Sequence, residues 1–579
     1  MSLPTQAMFP GVLEMAYRRE LQNLSAGDAL ARLWAKDASL WPAEQYQIES
    51  VKGNLGWLDL PGKLAPLLAR MAARAAMIEP AGFEDVVFVT MGDSNLAAQT
   101  VLRLPAAKLG KRTFLLDNID PDFLRAFDEN LRLDKTLFIF ASKSGKHIEP
   151  HSLLLYLLER LRTAGIPSPA RHFVILAEEN SYLGELAGEY QFLDSFLDPP
   201  GIHGRYSSLI HFNFFLAALC RLDPSDLLAC TQAMRDACGP SVPQEANPAV
   251  SLGAFLAAAE IEGLDRLVFF SADSLKSAAR RIGSLVGAST AKKGQGIIPI
   301  FGRPSYELAM LRQGCIVAIL KMSGEDNPEL GKRRAEFREA RVPMVTIELH
   351  GPEELAAELF KWEIATALAC SVLEVDPFHD PDIRESRVRT VEILEQIATK
   401  RQSPAPTVRV RDGEVELYAE GETRQHISTL NMAEALRTFF GLRHREGYLA
   451  LLPFLNYGET QKRVFRRICE RLESTLGLPV LLTPGPRYLH TIGQFYLGGP
   501  AKGLFLFLTA APSKDLAIPG ADYSFGQLQL ALALGDFESL GRRRRLVIRL
   551  HLTGGAESGL TQLETILNNT LGKRRIEAP

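Results

Sequence analysis

The strongest constraint on the fold is a rhythm in which short β-branched and aromatic runs recur between longer stretches of helical apolar spacing. VVFVT (86–90), RTFLLD (112–117), TLFIFA (136–141) and HFVILA (172–177) come first. After Asn247 and Pro248 the pattern resumes with DRLVFFSA (265–272), GCIVAILKM (314–322) and VPMVTIEL (342–349). Apolar strands alternating with helices indicate βαβ units and parallel sheets covered on both faces. From Tyr17 to Met77 the spacing is mostly helical, punctuated by Pro66 and Pro80, and reads as a lead-in. A polar, proline-containing stretch, ATKRQSPAPTVRVRDGE (398–414), reads as a linker. Beyond it YLALLPFL, PVLLTPG, LFLFLTA and RLVIRLHL alternate with helical segments. The predicted class is therefore α/β, with a lead-in and first domain over 1–244, a second over 245–400 and a smaller α/β domain over 401–579. The only duplication suggested is of the two larger domains.

A chain of 579 residues is long enough for two or three cores. Its 65 basic and 68 acidic residues leave a net charge of −3, too balanced for a long-range field that holds nucleic acid or anionic membrane. The six cysteines, Cys220, Cys230, Cys238, Cys315, Cys370 and Cys469, show no CxxC and no metal spacing, and read as reduced, buried thiols of a cytoplasmic protein. MSLPTQAMFPGVLEMAYRRE lacks a basic region followed by a long apolar stretch, so no export signal is read in it.

Three loops carry chemistry. MGDSNLAAQT (91–100) follows the strand VVFVT and places Gly92 and Ser94 where bare N–H groups open a helix, a setting for a phosphate or a sugar hydroxyl. In the same turn Asp93 would repel a phosphate. SKSGKHIEP (142–150) follows TLFIFA, and its Ser142, Lys143, Ser144 and Gly145 combine hydroxyls, a cation and backbone donors. PPGIHGRYSSLIHF (199–212) leads Arg205 into a helix, where a guanidinium can anchor an oxyanion. Caps and turns favour the same residue types, and a buried arginine can simply pair with a carboxylate.

Taken together, these stretches resemble the glucose-6-phosphate isomerase (phosphoglucose isomerase) family, built from two sugar isomerase (SIS) domains. The likeness is closest to the isomerase half of fused transaldolase–isomerases. It rests on ARLWAKDASLW (31–41), LGWLDL (55–60), MGDSNLA (91–97), ASKSGKHIEP (141–150), GIHGRYS (201–207), ASTAKKGQGIIP (288–299), VDPFHDPDIRESR (375–387), PGPRYLHTIGQFYLGGPAKGLFL (484–506) and IPGADYSFGQLQLALALGDF (518–537). These segments span nearly the whole chain in the family's order. The resemblance implies two SIS-type domains, a sugar-phosphate ligand, no cofactor or metal, a role in glycolysis and gluconeogenesis, and a homodimer. No transaldolase half is read in the chain, so a separate transaldolase would be another gene product.

Residue by residue, the resemblance puts Gly92, Ser94, Ser142, Lys143, Ser144 and His147 at the sugar phosphate. It makes Arg205 the group that stabilises the enediolate. The family's Gly-Gly-Ser-Ser turn reads here Gly92, Asp93, Ser94, Asn95, and its loop Gly and Thr read Lys146 and His147. The family reaction moves a proton between neighbouring sugar carbons, and its base is the Glu of a Glu-Ser-Thr-Gly-Lys stretch. Here that stretch is Ala288, Ser289, Thr290, Ala291, Lys292, with Thr290 and Lys292 kept on the substrate side. A methyl group takes no proton, and no Asp or Glu occurs from Ser274 through Tyr306. The family's Gln and Lys correspond to Asp380 and Arg387. Near the C-terminus Tyr496 and Leu497 replace His and Lys, while Gln494 remains.

The expected function is a sugar-phosphate-binding relative of glucose-6-phosphate isomerase with isomerase activity weak or lost. One alternative is an active aldose–ketose isomerase with a rebuilt base, for which His203 and then His147 are the candidates and His379 a further histidine within the motifs. The other is a non-catalytic regulatory or scaffold subunit. No helix-turn-helix or basic arm supports nucleic-acid binding.

Overall fold

The computed structural model describes residues 2–42, 45–143, 145, 147–302, 314–325, 327–400 and 407–572. Strand β1 (Thr5–Phe9) comes first, followed by short helices up to Ile78. Strands β2 (Asp85–Thr90), β3 (Arg112–Leu116), β4 (Thr136–Ala141), β5 (Phe173–Glu178) and β6 (Asp194–Asp198) form a parallel sheet in the order β3-β2-β4-β5-β6. A second sheet contains β7 (Arg266–Ser271), β8 (Ile298–Phe301), β9 (Cys315–Met322) and β10 (Met344–Leu349). Its order is β1-β10-β9-β7-β8, with β1 antiparallel on one edge. β2 and β4 are buried along their whole length, which is why the sequence shows them as unbroken apolar runs.

The third sheet holds β11 (Val410–Asp412), β12 (Val415–Ala419), β13 (Tyr448–Phe454), β14 (Val480–Leu482), β15 (Gly503–Ala510) and β16 (Leu546–Leu552). Its order is β11-β12-β16-β15-β13-β14. The α/β class with parallel sheets is as expected. The expected linker 398–414 is corrected by the structure. Helix Pro381–Lys400 runs into it, residues 401–406 lie outside the described residues, and Val410–Asp412 pairs antiparallel with Val415–Ala419.

Residues divide into two compact units. The first comprises 1–116, 132–151 and 160–379, and the second 117–131, 152–159 and 380–579. The first unit holds two sheets over one continuous apolar core that includes Phe88, Ile139, Leu267 and Ile316. Helices Pro248–Ile261 and Leu355–Val372 are buried nearly all round, as an apolar spacing without a polar face requires. The second unit has its own core, with Leu449, Leu506 and Ile548 at its centre. All six cysteines are buried. Among the described residues no helix is long and apolar enough to cross a membrane.

Candidate functional site at the edge of the first sheet

In the first sheet the chain leaves β2 toward β3 on one side and returns to β4 on the other. Such a switch point opens a crevice at the carboxyl ends of the two strands, where ligands of open α/β sheets bind. Thr90 pairs with Ala141, so the 91–95 and 142–147 loops leave this edge side by side. Gly92 has φ +62° and ψ −129°, a conformation side-chain-bearing residues avoid, and it opens helix Asp93–Arg103. Ser142 Oγ accepts from the Gly145 N–H at 3.2 Å. Gly145 sits at φ +67°, and a Cβ there would come within 2.5 Å of Leu183 Cβ, so the turn closes only around a glycine.

Lys143 is anchored by backbone, its carbonyl accepting from the Glu178 N–H at 2.9 Å, and its ammonium lies 3.2 Å from the Glu178 carboxylate. The cation thus arrives at the loop already balanced. Behind it Asp198 accepts the His211 N–H at 2.8 Å, and burial pushes its carboxyl up to about 7. Burial likewise pushes the His211 imidazole down to about 4. His147 stands just ahead of helix Ile148–Thr163 without capping it. Ser144 and Lys146 lie outside the described residues.

The 199–210 loop carries His203 and Arg205 in the same unit. Arg205 donates to the Pro377 carbonyl at 3.1 Å, and the half-buried His203 ring packs edge-on and tilted against Tyr206 and Phe378. The next residues are held hard. Glu363, 2% exposed, accepts the Ser208 N–H and the Ser208 hydroxyl at 2.8 Å each, while Asn213 donates to the Ser207 and Ser208 carbonyls. Burial pushes the Glu363 carboxyl up to about 7 against the pull of buried Arg281 and the Ser208 donors.

Arg281 is attracted both to Glu363 and to Asp93, while burial lowers its pKa. The acid in the 91–95 turn therefore feels the positive field of a buried guanidinium, which acts against the negative charge of Asp93. Sequence reading missed Glu363, Arg281 and Ser208. The available signal was a single acid inside the apolar run of WEIATALAC and one inward-facing arginine in KSAARRIGSLVGAST.

The stretch LVGASTAKKGQG (285–296) begins as helix. Helix Lys276–Thr290 continues through Ala288, Ser289 and Thr290, all with 0% exposure. Lys292 donates from Nζ to the Ala288 and Ser289 carbonyls at 2.8 and 2.6 Å, satisfying carbonyls that a helix end leaves open. Thr290 Oγ1 donates to the Val286 carbonyl and accepts the Ile297 N–H, tying the helix end to the segment entering β8.

Gly92, Ser94, Ser142, Lys143, His147, His203, Arg205, Ala288, Thr290 and Lys292 thus belong to the first unit, and Arg387 and Gln494 to the second. Arg387 is exposed on helix Pro381–Lys400. Gln494 is buried and accepts the Asp382 and Ile383 N–H groups at 3.1 and 3.3 Å, while its amide donates to the Asp382 carboxylate. It serves that helix as a cap from outside.

No family model matches the chain. The chain is 29% identical over 249 residues to a probable glucose-6-phosphate isomerase of Haloarcula marismortui, covering 43% of this chain and 56% of that protein. With a probable glucose-6-phosphate isomerase of Natronomonas pharaonis it shares 28% identity over 338 residues, covering 52% of this chain and 76% of that protein. The chain thus spans little more than half the length of the first of these relatives. Among solved structures, a hypothetical protein from Thermus thermophilus superimposes with a TM-score of 0.57 at 19% identity, over 67% of this chain and 99% of the other, a likeness of fold. By sequence the chain is thus similar to glucose-6-phosphate isomerases over about half of its length.

Proposed function

We propose that the chain binds a sugar phosphate at the edge of the first sheet and that its aldose–ketose isomerase activity is weak or absent. The observation that carries this reading is Ala288, a methyl group with 0% exposure at the position of the family's base. Proton transfer between the two sugar carbons needs a group of suitable pKa within hydrogen-bond reach of the moving proton. Arg205 can still steady an anionic oxygen and Ser142 and Lys143 can still meet a phosphate, so binding is retained where proton transfer is not.

A coupled assay for conversion of fructose 6-phosphate tests the reading, with calorimetry of sugar-phosphate binding beside it. The expected outcome is a binding heat that Ser142→Asp abolishes, with turnover lower by about 10²–10⁴ than a general base would give. Rapid turnover by the unaltered protein would overturn the loss of catalysis. A rebuilt base is the second reading, favoured by the placement of His203 two residues from Arg205 and half-buried against Phe378. Turnover that disappears in His203→Asn would establish it. Absence of any binding heat with sugar phosphates would leave the scaffold reading, with a partner such as a separate transaldolase or a second copy of the chain.

A further inference from the structure

The second sheet repeats the topology of the first. From β7 the chain goes to β8 on one side and then to β9 on the other, so a second switch point lies at the carboxyl ends of β7 and β9. A cavity of about 360 Å³ opens at the carboxyl ends of β7 and β8, with the segment that follows β9 beside it. One wall is aromatic. The Phe269 and Phe301 rings stack with centroids 5.8 Å apart at 20°, and Phe270 lies beside them. Gly302 follows directly, and a Cβ there would strike the Phe270 ring at 2.6 Å, so only glycine lets the chain lie against that ring.

The facing wall is cationic. Lys276 and Arg280 stand one turn apart on the exposed side of helix Lys276–Thr290, and Arg333 comes from helix Pro328–Glu339. Asp273 pairs with Lys276 at 2.6 Å, and Arg333 pairs with Glu329 at 3.2 Å and with Glu336 at 3.5 Å. The Arg280 guanidinium lies over the Phe301 ring at 5.8 Å, joining the two walls. Neutral polar side chains in the lining are Ser271 and Asn327.

We propose that this cavity is a second ligand site, distinct from the loops of the first sheet, and that it takes a nucleoside monophosphate. The base lies against the phenylalanine wall and the phosphate between Lys276 and Arg280. Flat rings stack on phenylalanine faces, and a guanidinium binds a phosphate through paired donors. A bare sugar phosphate fits this lining less well, because it has no flat ring to set against the aromatic wall.

Calorimetry on the full chain, with adenosine 5′-monophosphate, adenosine, inorganic phosphate and glucose 6-phosphate as probes, tests the proposal. Adenosine 5′-monophosphate is expected to bind more tightly than adenosine or phosphate. Its affinity is expected to fall at least tenfold in the Lys276→Glu, Arg280→Glu double variant and to be unchanged in Ser142→Asp. Both reversed positions are exposed, and a melting curve checks the fold. The milder Arg280→Ala, expected to weaken binding at least threefold, carries the test if the double variant melts early. No heat from adenosine 5′-monophosphate at millimolar concentration overturns the proposal, as does equal affinity in the variants. Phosphate binding as tightly as the nucleotide also overturns it, as does glucose 6-phosphate binding that is lost with the double variant and kept in Ser142→Asp.

Discussion

Glu363 shows how much one residue can tie together when its partners are remote in sequence. Its carboxyl group holds Ser208, is drawn on by the charge of Arg281 and, through Arg281, shares a charge set with Asp93 in the 91–95 turn. Removing the buried carboxyl leaves the Ser208 N–H and hydroxyl without their acceptor, so Glu363→Ala is expected to cost about 1–3 kcal/mol in chemical denaturation. The pH dependence has a definite sign. Burial raises the folded carboxyl to about 7, from an ordinary value of 4.5, so between those values the unfolded chain has lost a proton that the folded chain keeps. Unfolding then releases a proton, and stability falls as pH rises through that window. Melting temperatures across it should show this slope, and Glu363→Gln should flatten it. A second residue-scale outcome concerns Lys292, whose ammonium closes the end of helix Lys276–Thr290. Lys292→Met is expected to cost about 1–3 kcal/mol, the range for hydrogen bonds to a charged group, with or without any ligand present.

At the scale of elements, helix Pro381–Lys400 depends on a residue that the sequence assigned to substrate. Gln494 supplies the acceptor for two of its first N–H groups, so Gln494→Ala should lower stability by about 1–2 kcal/mol, the usual worth of a helix cap. A residue that served only a ligand would leave the melting curve unmoved. The turn after β4 was legible because a serine and a glycine between an apolar strand and a helix favour one, and Ser142 Oγ accepts the Gly145 N–H there. The clamp on Ser208 was illegible because its partner is 155 residues away and lies in an apolar helix. Strands divide in the same way. β2, β4, β13 and β15 are interior and show as apolar runs, whereas β1 (TQAMF), β6 (DSFLD) and β11 (VRD) are sheet edges. Edge strands face water on one side and stay short and polar, so composition hides them.

At the scale of the whole molecule, the first four parallel strands of each of the three sheets follow one order. Numbered in chain order, β3-β2-β4-β5, β8-β7-β9-β10 and β14-β13-β15-β16 each read second, first, third, fourth. The sequence suggested the duplication of the two larger domains, but strand order is a long-range property that periodicity does not carry. The two units nonetheless have separate apolar cores, one spanning two sheets and the other spanning the third. Domains with their own cores need not unfold in a single step. The chain has 4 tryptophans, Trp34, Trp41, Trp57 and Trp362, and all fall in the first unit. Tryptophan fluorescence therefore reports that unit alone, while far-ultraviolet circular dichroism reports both. In a urea titration the dichroism curve is expected to contain a transition that fluorescence does not show. Because one core underlies both sheets of the first unit, the fluorescence curve itself is expected to be a single step. Coincident curves would mean that the two cores unfold as one cooperative unit, and a two-step fluorescence curve would mean that the sheets of the first unit are independent.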